Sequence, residues 1–251
     1  MSFWDNFNKN KNLIAAHRGA RSLRAENTMG AFRESLNKSD YIELDVGFSK
    51  DGIAIVIHDD TLDRTSNVKE FDEFQKPYRV IDYTYKQLKK LDFGSWFKKG
   101  DVQKIVTLKE ILTFLQKNNF PVNVELKDMT GTPFDSIITQ RVIEIVKETK
   151  MDNLVLLSSF NHKYLKEAYE KAPHITRAAL QENQHPDDIV GYLDSLHVNS
   201  YNPDFEITSL ELVQELSKSG INVNIFTVND KKDKISLFKN GAKSVFTDIL
   251  E

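Results

Sequence analysis

The 251-residue sequence contains no cysteine, which excludes disulfides, thiolate metal sites, iron–sulfur clusters and cysteine nucleophiles. It has no excess of either charge. The 34 Lys and Arg face 37 Asp and Glu, a net charge of −3, so the basic footprint of a nucleic-acid-binding domain is missing. No apolar run approaches the ~20 residues that a bilayer-spanning helix needs. The N-terminal stretch opens with polar and charged residues, and its one apolar run, Leu13–Ala16, is too short for the core of a signal peptide. The expectation is a cytoplasmic protein without a stable membrane anchor. The chain also lacks a P-loop and a G-x-S-x-G nucleophile elbow.

What is present is ordinary globular composition, with 40% apolar and 28% charged residues. Short β-type runs alternate with helical patterns. The expected strands are 13–17, 41–46, 53–57, 121–126, 154–158, 176–180, 195–199, 222–227 and 243–247. Between them, 28–36, 137–149 and 207–219 carry apolar residues at helical spacing. Asn27 or Thr28 can cap the first of these helices, and Gly220 can stop the last. Strands alternating with helices imply parallel β-sheet.

The run 53–57 is different. It follows 41–46 across Ser49-Lys50-Asp51-Gly52, and Asp-Gly is a strong hairpin signal. With that returning strand set aside, eight strand–helix units remain. Eight such units in about 250 residues is the size of a (β/α)8 TIM-type barrel. An open doubly wound sheet is the runner-up, but its Gly-rich first turn is reduced here to Arg18-Gly19-Ala20.

The spacing between strands is uneven. Glu43 to Glu125 spans 82 residues, whereas Glu125 to Leu157 spans 32 and Leu157 to Ala179 spans 22. The excess lies in the aromatic-rich segment at about 61–106. The expectation is one barrel domain over 1–251, with a small subdomain inserted between barrel strands two and three. The locally basic stretch Lys86–Lys99 reads as a solvated helix face.

Three clusters carry chemistry. A two-residue Asp51-Gly52 turn would set Asp45 opposite His58, with Glu43 on the same face as Asp45. Two adjacent carboxylates flanked by Ile42, Leu44 and Val46 call for a cation between them. In Asn123-Val124-Glu125-Leu126-Lys127, the polar residues share one face at a strand's C-terminal end, where barrel enzymes keep catalytic groups. Glu125 can complete a three-carboxylate site with Glu43 and Asp45. Oxygen-only ligation suits one divalent cation, Mg²⁺ or Ca²⁺. Lys127 can neutralise an anionic oxygen, or it can simply pair with Glu125. His17-Arg18 at the end of the first strand suits a phosphate, with Arg18 as a planar fork and His17 as a titratable group. Together these groups fit a phosphodiester held by a cation between two imidazoles, His17 and His58, as acid and base. Of the other histidines, His162 follows strand four, His174 and His185 read as surface, and His197 falls on an expected strand.

The ordered set His17-Arg18-Gly19, Glu26-Asn27-Thr28, Glu43-Leu44-Asp45-Val46, Asp51-Gly52, His58-Asp59, Leu62-Asp63-Arg64-Thr65, Glu125-Leu126-Lys127, Phe226-Thr227-Val228-Asn229 and Gly241…Thr247-Asp248 resembles the glycerophosphodiester phosphodiesterase family over nearly the whole chain. The resemblance implies a (β/α)8 barrel with a small insertion. It implies a divalent cation on Glu43, Asp45 and Glu125, acid–base roles for His17 and His58, and phosphate contacts from Arg18 and Lys127. It also implies a small-molecule glycerophosphodiester substrate, cleaved to sn-glycerol 3-phosphate and an alcohol. Phe226 stands where the family usually has Trp, at a position facing the glycerol or alcohol group. Ile105-Val106-Thr107-Leu108 lacks a Pro often found before the helix after the insertion, a change bearing on local stability. Two alternatives are a lysophospholipase D, if the insertion's aromatics form an exposed groove, and a non-catalytic barrel that binds phosphate esters.

Overall fold

The computed structural model describes residues 2–250. Nine strands form one sheet: β1 (Leu13–Ala16), β2 (Tyr41–Phe48), β3 (Ala54–Val56), β4 (Val122–Leu126), β5 (Val155–Ser159), β6 (Thr176–Gln181), β7 (Ser200–Pro203), β8 (Asn222–Ile225) and β9 (Ser244–Thr247). The hydrogen-bonded order is β1-β9-β8-β7-β6-β5-β4-β2-β3, and β1 also pairs with β2. That second pairing closes eight parallel strands into a barrel. β3 lies outside it, antiparallel to the far end of β2.

Helices cover the barrel: α1 (Met29–Ser35), α2 (Tyr85–Leu88), α3 (Leu108–Lys117), α4 (Ile138–Glu148), α5 (His162–Lys171), α6 (Ile189–Ser195), α7 (Leu210–Lys218) and α8 (Lys231–Lys239). Their starts follow from capping. Thr28 accepts from the Ala31 amide at 3.2 Å and opens α1. Where the sequence lacks proline before α3, Thr107 and Glu110 form a reciprocal capping box, with the Thr107 amide 2.8 Å from the Glu110 carboxylate. The amphipathic faces of α3 and α4 bury Leu108, Ile111, Leu112, Leu115, Val142, Ile143 and Val146 against β2, β4 and β5.

Below the site the barrel interior holds both apolar and polar groups. Leu13, Ala15, Tyr41, Leu156, Ala178 and Phe246 pack together, and Phe3 closes the layer from beneath. Asn202, Asn224 and Ser244 form a buried hydrogen-bonded chain at 2.9 and 3.1 Å.

Two local expectations fail. The run 195–199 is not a strand. Leu193, Leu196 and Val198 are buried because α6 ends there in a tight turn, with the Leu196 and Val198 amides both donating to the Leu193 carbonyl. His197 sits in that turn at φ +52°, stacked on Tyr169, and β7 begins only at Ser200. The hairpin register is also shifted by one. Phe48 pairs with Ala54, so the loop is Ser49–Ile53 rather than Asp51-Gly52 alone. The Ser49 amide donates to the Ile53 carbonyl and the Ser49 hydroxyl to Asp51, which builds the extra residues into the turn. Residue 57, not His58, therefore stands opposite Asp45, and the Ile57 amide donates to the Asp45 carbonyl at 3.0 Å.

Segment 61–106 carries α2 and short 3-10 turns. Leu62, Val68, Phe74, Tyr83, Leu88, Leu91 and Phe93 pack with Ile55 and Ile57 as a small core beside the barrel.

Candidate active site

The acidic site follows from strand register. β2 and β4 run parallel with Asp45 beside Glu125 and Glu43 beside Asn123, and alternation turns all four side chains to the barrel interior. Each of Glu43, Asp45 and Glu125 is buried, and one ligand atom from each lies within 4.8 Å of the others. Burial raises the Glu43 carboxyl well above its ordinary value, and the charges of Asp45 and Glu125 add to the effect. Glu125 is raised for the same two reasons. Burial would also raise Asp45, but the Arg18 and Lys127 cations outweigh it and hold Asp45 below its ordinary value. Three clustered buried carboxylates, two of them held up by burial and by neighbouring acids, exceed the two cations beside them, and a divalent cation with oxygen ligands fits that donor set. The buried Asn123 Oδ1 beside them has no hydrogen-bond partner.

The first βα loop supplies the basic groups. Arg18 takes a left-handed conformation at φ +54°, its amide donates to Glu43 Oε2 at 2.8 Å, and its guanidinium lies 3.6 Å from Asp45. Gly19 follows at φ +79°, where a Cβ would come within 2.9 Å of Ala31. Asn27 donates to Asp45 Oδ2 at 2.8 Å, which fixes that carboxylate. Lys127 bonds Glu125 Oε1 at 2.9 Å, stands 3.8 Å from Asp45 and lines the cavity, so it is paired with the acids and also within reach of a ligand there.

Each of the two proposed acid–base histidines has a carboxylate behind it. His17 Nδ1 lies 2.8 Å from Asp248 Oδ1, and its Nε2 is 4.0 Å from Glu43 Oε2. Burial lowers the basicity of His17 against the pull of Asp248. His58 leaves the ladder after β3 and places Nδ1 2.7 Å from Asp59 Oδ1. Arg64 and His58 hold Asp59 far below the ordinary carboxylate range despite partial burial. Arg21 bonds Asp248 at 3.3 Å and Arg64 bonds Asp59 at 2.9 Å, and both arginines also grip the buried Glu26, which takes Arg18 as well. Asn229 steadies Asp248 from its other side at 3.2 Å.

In the sequence Glu26, Asp59, Arg64, Asn229 and Asp248 stand out only as parts of motifs, and Arg21 not at all. Arg21, Glu26, Asp59 and Arg64 share one signal, charge in the segments after His17 and His58, whereas Asn229 and Asp248 follow the last two strands. Of the remaining histidines, His162 bridges Tyr192 and the Leu180 carbonyl, and His174 is exposed. His185 is partly buried rather than a free surface group, held by Tyr201 and the Ile207 carbonyl.

These groups open onto one cavity of about 560 Å³, lined by His17, Arg18, Glu43, His58, Glu125 and Lys127. Phe160 and Phe226 form an edge-to-face pair on one wall, their ring centroids 5.8 Å apart. A second cavity of about 270 Å³ adjoins it and shares His58, Asp60, Lys127 and Asp128.

The sequence pattern of the Glycerophosphoryl diester phosphodiesterase family matches residues 17–251. A glycerophosphodiester phosphodiesterase of Caldanaerobacter subterraneus subsp. tengcongensis is 33% identical over 246 residues, covering 95% of this chain and 94% of that one. One from Bacillus altitudinis is 34% identical over 241 residues, 94% of each chain. The solved structure of an Oleispira antarctica phosphodiesterase with the product sn-glycerol-3-phosphate superposes with a TM-score of 0.85 at 26% identity, covering 99% of this chain and 96% of that one. The barrel, its insertion and these relationships agree, and the chain belongs to the glycerophosphoryl diester phosphodiesterase family and is an enzyme of that kind.

Proposed function

We propose that the enzyme hydrolyses glycerophosphodiesters to sn-glycerol 3-phosphate and an alcohol, with a divalent cation on Glu43, Asp45 and Glu125 and with His17 and His58 as the acid–base pair. The observation that carries this reading is a cluster of three buried carboxylates, two of which line the same cavity as two carboxylate-backed histidines.

The cation would supply Lewis-acid stabilisation of phosphoryl charge. The chain's own groups do the rest. Arg18 and Lys127 give the phosphate oxygens positive partners on the side of the carboxylates. At each histidine Nδ1 is engaged by an aspartate, so Nε2 is the nitrogen that exchanges a proton with the substrate. One ring takes the proton of the attacking oxygen, and the other gives a proton to the departing alkoxide. Phe160 and Phe226 offer an apolar wall to the carbon skeleton of the glycerol or alcohol.

Of the insertion's aromatics, Phe74, Tyr83 and Phe93 pack inward and Trp96 and Phe97 are exposed, but none of them lines the cavity, which favours a small water-soluble diester over a lysolipid. No helix among the described residues is long and apolar enough to cross a membrane.

The test is release of glycerol 3-phosphate from glycerophosphocholine and glycerophosphoethanolamine by metal-stripped protein, with Mg²⁺, Ca²⁺ or buffer added back. Turnover restored only by a cation is the expected result. Equal turnover without a cation would remove the metal from the proposal, and turnover of lysophosphatidylcholine alone would replace the substrate.

A further inference from the structure

The insertion ends in a turn that its own small core does not absorb. Over residues 94–102, Trp96, Phe97 and Val102 are 40%, 37% and 60% exposed, and Lys98 and Lys99 between them are exposed as well. Large apolar groups scattered singly over a surface need no explanation, but three within seven residues around a lysine pair form a patch.

The patch is rigid. The Asp92 carboxylate accepts from the amides of Gly94, Ser95 and Gln103, and a Cβ on Gly94 would collide with the Asp101 carbonyl at 1.9 Å. Trp96 and Phe97 meet edge to face with centroids 5.9 Å apart. The Trp96 indole N–H donates to the Phe93 carbonyl at 2.9 Å, so the ring can enter an apolar phase without stranding a donor. The turn is tied to the catalytic end of the barrel. Asp101 pairs with Arg24 in the loop after β1, and Gln103 accepts from Gly30 at the start of α1. Phe93, at its root, borders a small cavity with Glu26 and His58.

Charge decides the occupant. Residues 86–104 hold six lysines and two aspartates, a net +4 in a chain of net −3. Lys90 is engaged by Glu73 and Lys104 by backbone carbonyls, while Lys98 and Lys99 stand exposed beside the rings and attract an anionic surface. Aromatic rings beside lysines suit the interface of a bilayer, where rings lie among the headgroups and ammonium groups meet lipid phosphates.

We propose that the turn 94–102 docks the enzyme on anionic lipid bilayers, reversibly, with Trp96 and Phe97 in the interface and Lys98 and Lys99 on the lipid phosphates. The proposal stands apart from the phosphodiesterase reading, because docking is measured without turnover.

The experiment is co-sedimentation of the full chain with vesicles of phosphatidylcholine alone or mixed with phosphatidylglycerol, at low and high salt. Binding is expected to the anionic vesicles at low salt, and to weaken as salt rises. Each lysine near such a surface contributes about a fivefold change in partition, so Lys98→Ala/Lys99→Ala should weaken binding on the order of twentyfold. Trp96→Ser/Phe97→Ser should abolish binding with the fold retained by circular dichroism, and should leave turnover of glycerophosphocholine unchanged. No binding by the wild type, equal binding to neutral vesicles, or binding that survives both double substitutions would overturn the proposal. So would concentration-dependent self-association of the wild type that Trp96→Ser/Phe97→Ser removes, since the patch would then seat a second copy.

Discussion

Arg21 and Arg64 close on one carboxylate, that of Glu26, at 3.0 and 2.7 Å, and each runs on to the aspartate behind a different histidine. The two histidines proposed to transfer protons thus share, through their aspartates, a single buried anchor. Glu26→Gln should lower kcat by about 10–100-fold, the usual cost of losing an outer partner, with KM within a few-fold. Adding Asp59→Asn to it should cost less than the product of the two single effects, because both lie on one line of contacts. Steady-state kinetics on the single and double variants check this. Strictly multiplicative losses would remove Glu26 from a positioning role.

His17→Ala and His58→Ala should each lower turnover by about 10²–10⁴-fold with the fold retained by circular dichroism. An aryl phosphodiester, whose phenolate leaves without a proton, separates their roles. The variant lacking the acid should recover on that substrate, and the variant lacking the base should not. Recovery of both or of neither would show that the two rings do not divide the work this way.

The acidic trio should destabilise the metal-free enzyme as pH rises. Glu43 has a folded value raised above its unfolded one, so its contribution is fully present below the unfolded value near pH 4.5 and is lost as pH climbs through the raised value. The melting temperature of stripped protein should therefore fall between mildly acidic and mildly basic pH. Glu43→Gln should flatten that fall, and added Mg²⁺ or Ca²⁺ should raise the melting temperature of the wild type much more than that of the variant. Calorimetry across the pH range, with and without cation, decides the matter.

Asp248 behaves in the opposite sense. Burial alone would raise it, but His17, Arg21 and Asn229 hold it at about 2. Its stabilisation is present above the ordinary value of 3.8 and disappears as pH falls through about 2. Asp248→Asn should lower the urea midpoint at neutral pH and leave it nearly unchanged at about pH 2. An equal loss at both pH values would mean that packing, not charge, is what the substitution removes.

Much of the site was legible because alternation along β2 and β4 is a local property: Glu43, Asp45 and Glu125 face inward by strand geometry alone. The register of the hairpin was not, because Ser49 hydrogen-bonds into the turn and adds residues that the Asp-Gly signal does not count. His58 still reaches the cavity, but by leaving the ladder rather than by standing opposite Asp45. The strand placed at 195–199 failed because a helix end and a strand both bury alternate apolar residues when the segment is short. The aspartates, arginines and Glu26 behind the histidines could not be assigned roles from spacing, since their contacts cross loops that are distant in sequence.

The bond between His17 and Asp248 spans 231 residues. During synthesis the histidine therefore emerges long before the carboxylate that orients it. A partly made barrel, or one clipped just short of Asp248, would hold its acidic cluster and most of its cavity yet carry an unaimed imidazole. Alignment of the ring thus waits on β9 being in place, and the His17–Asp248 contact marks a closed barrel.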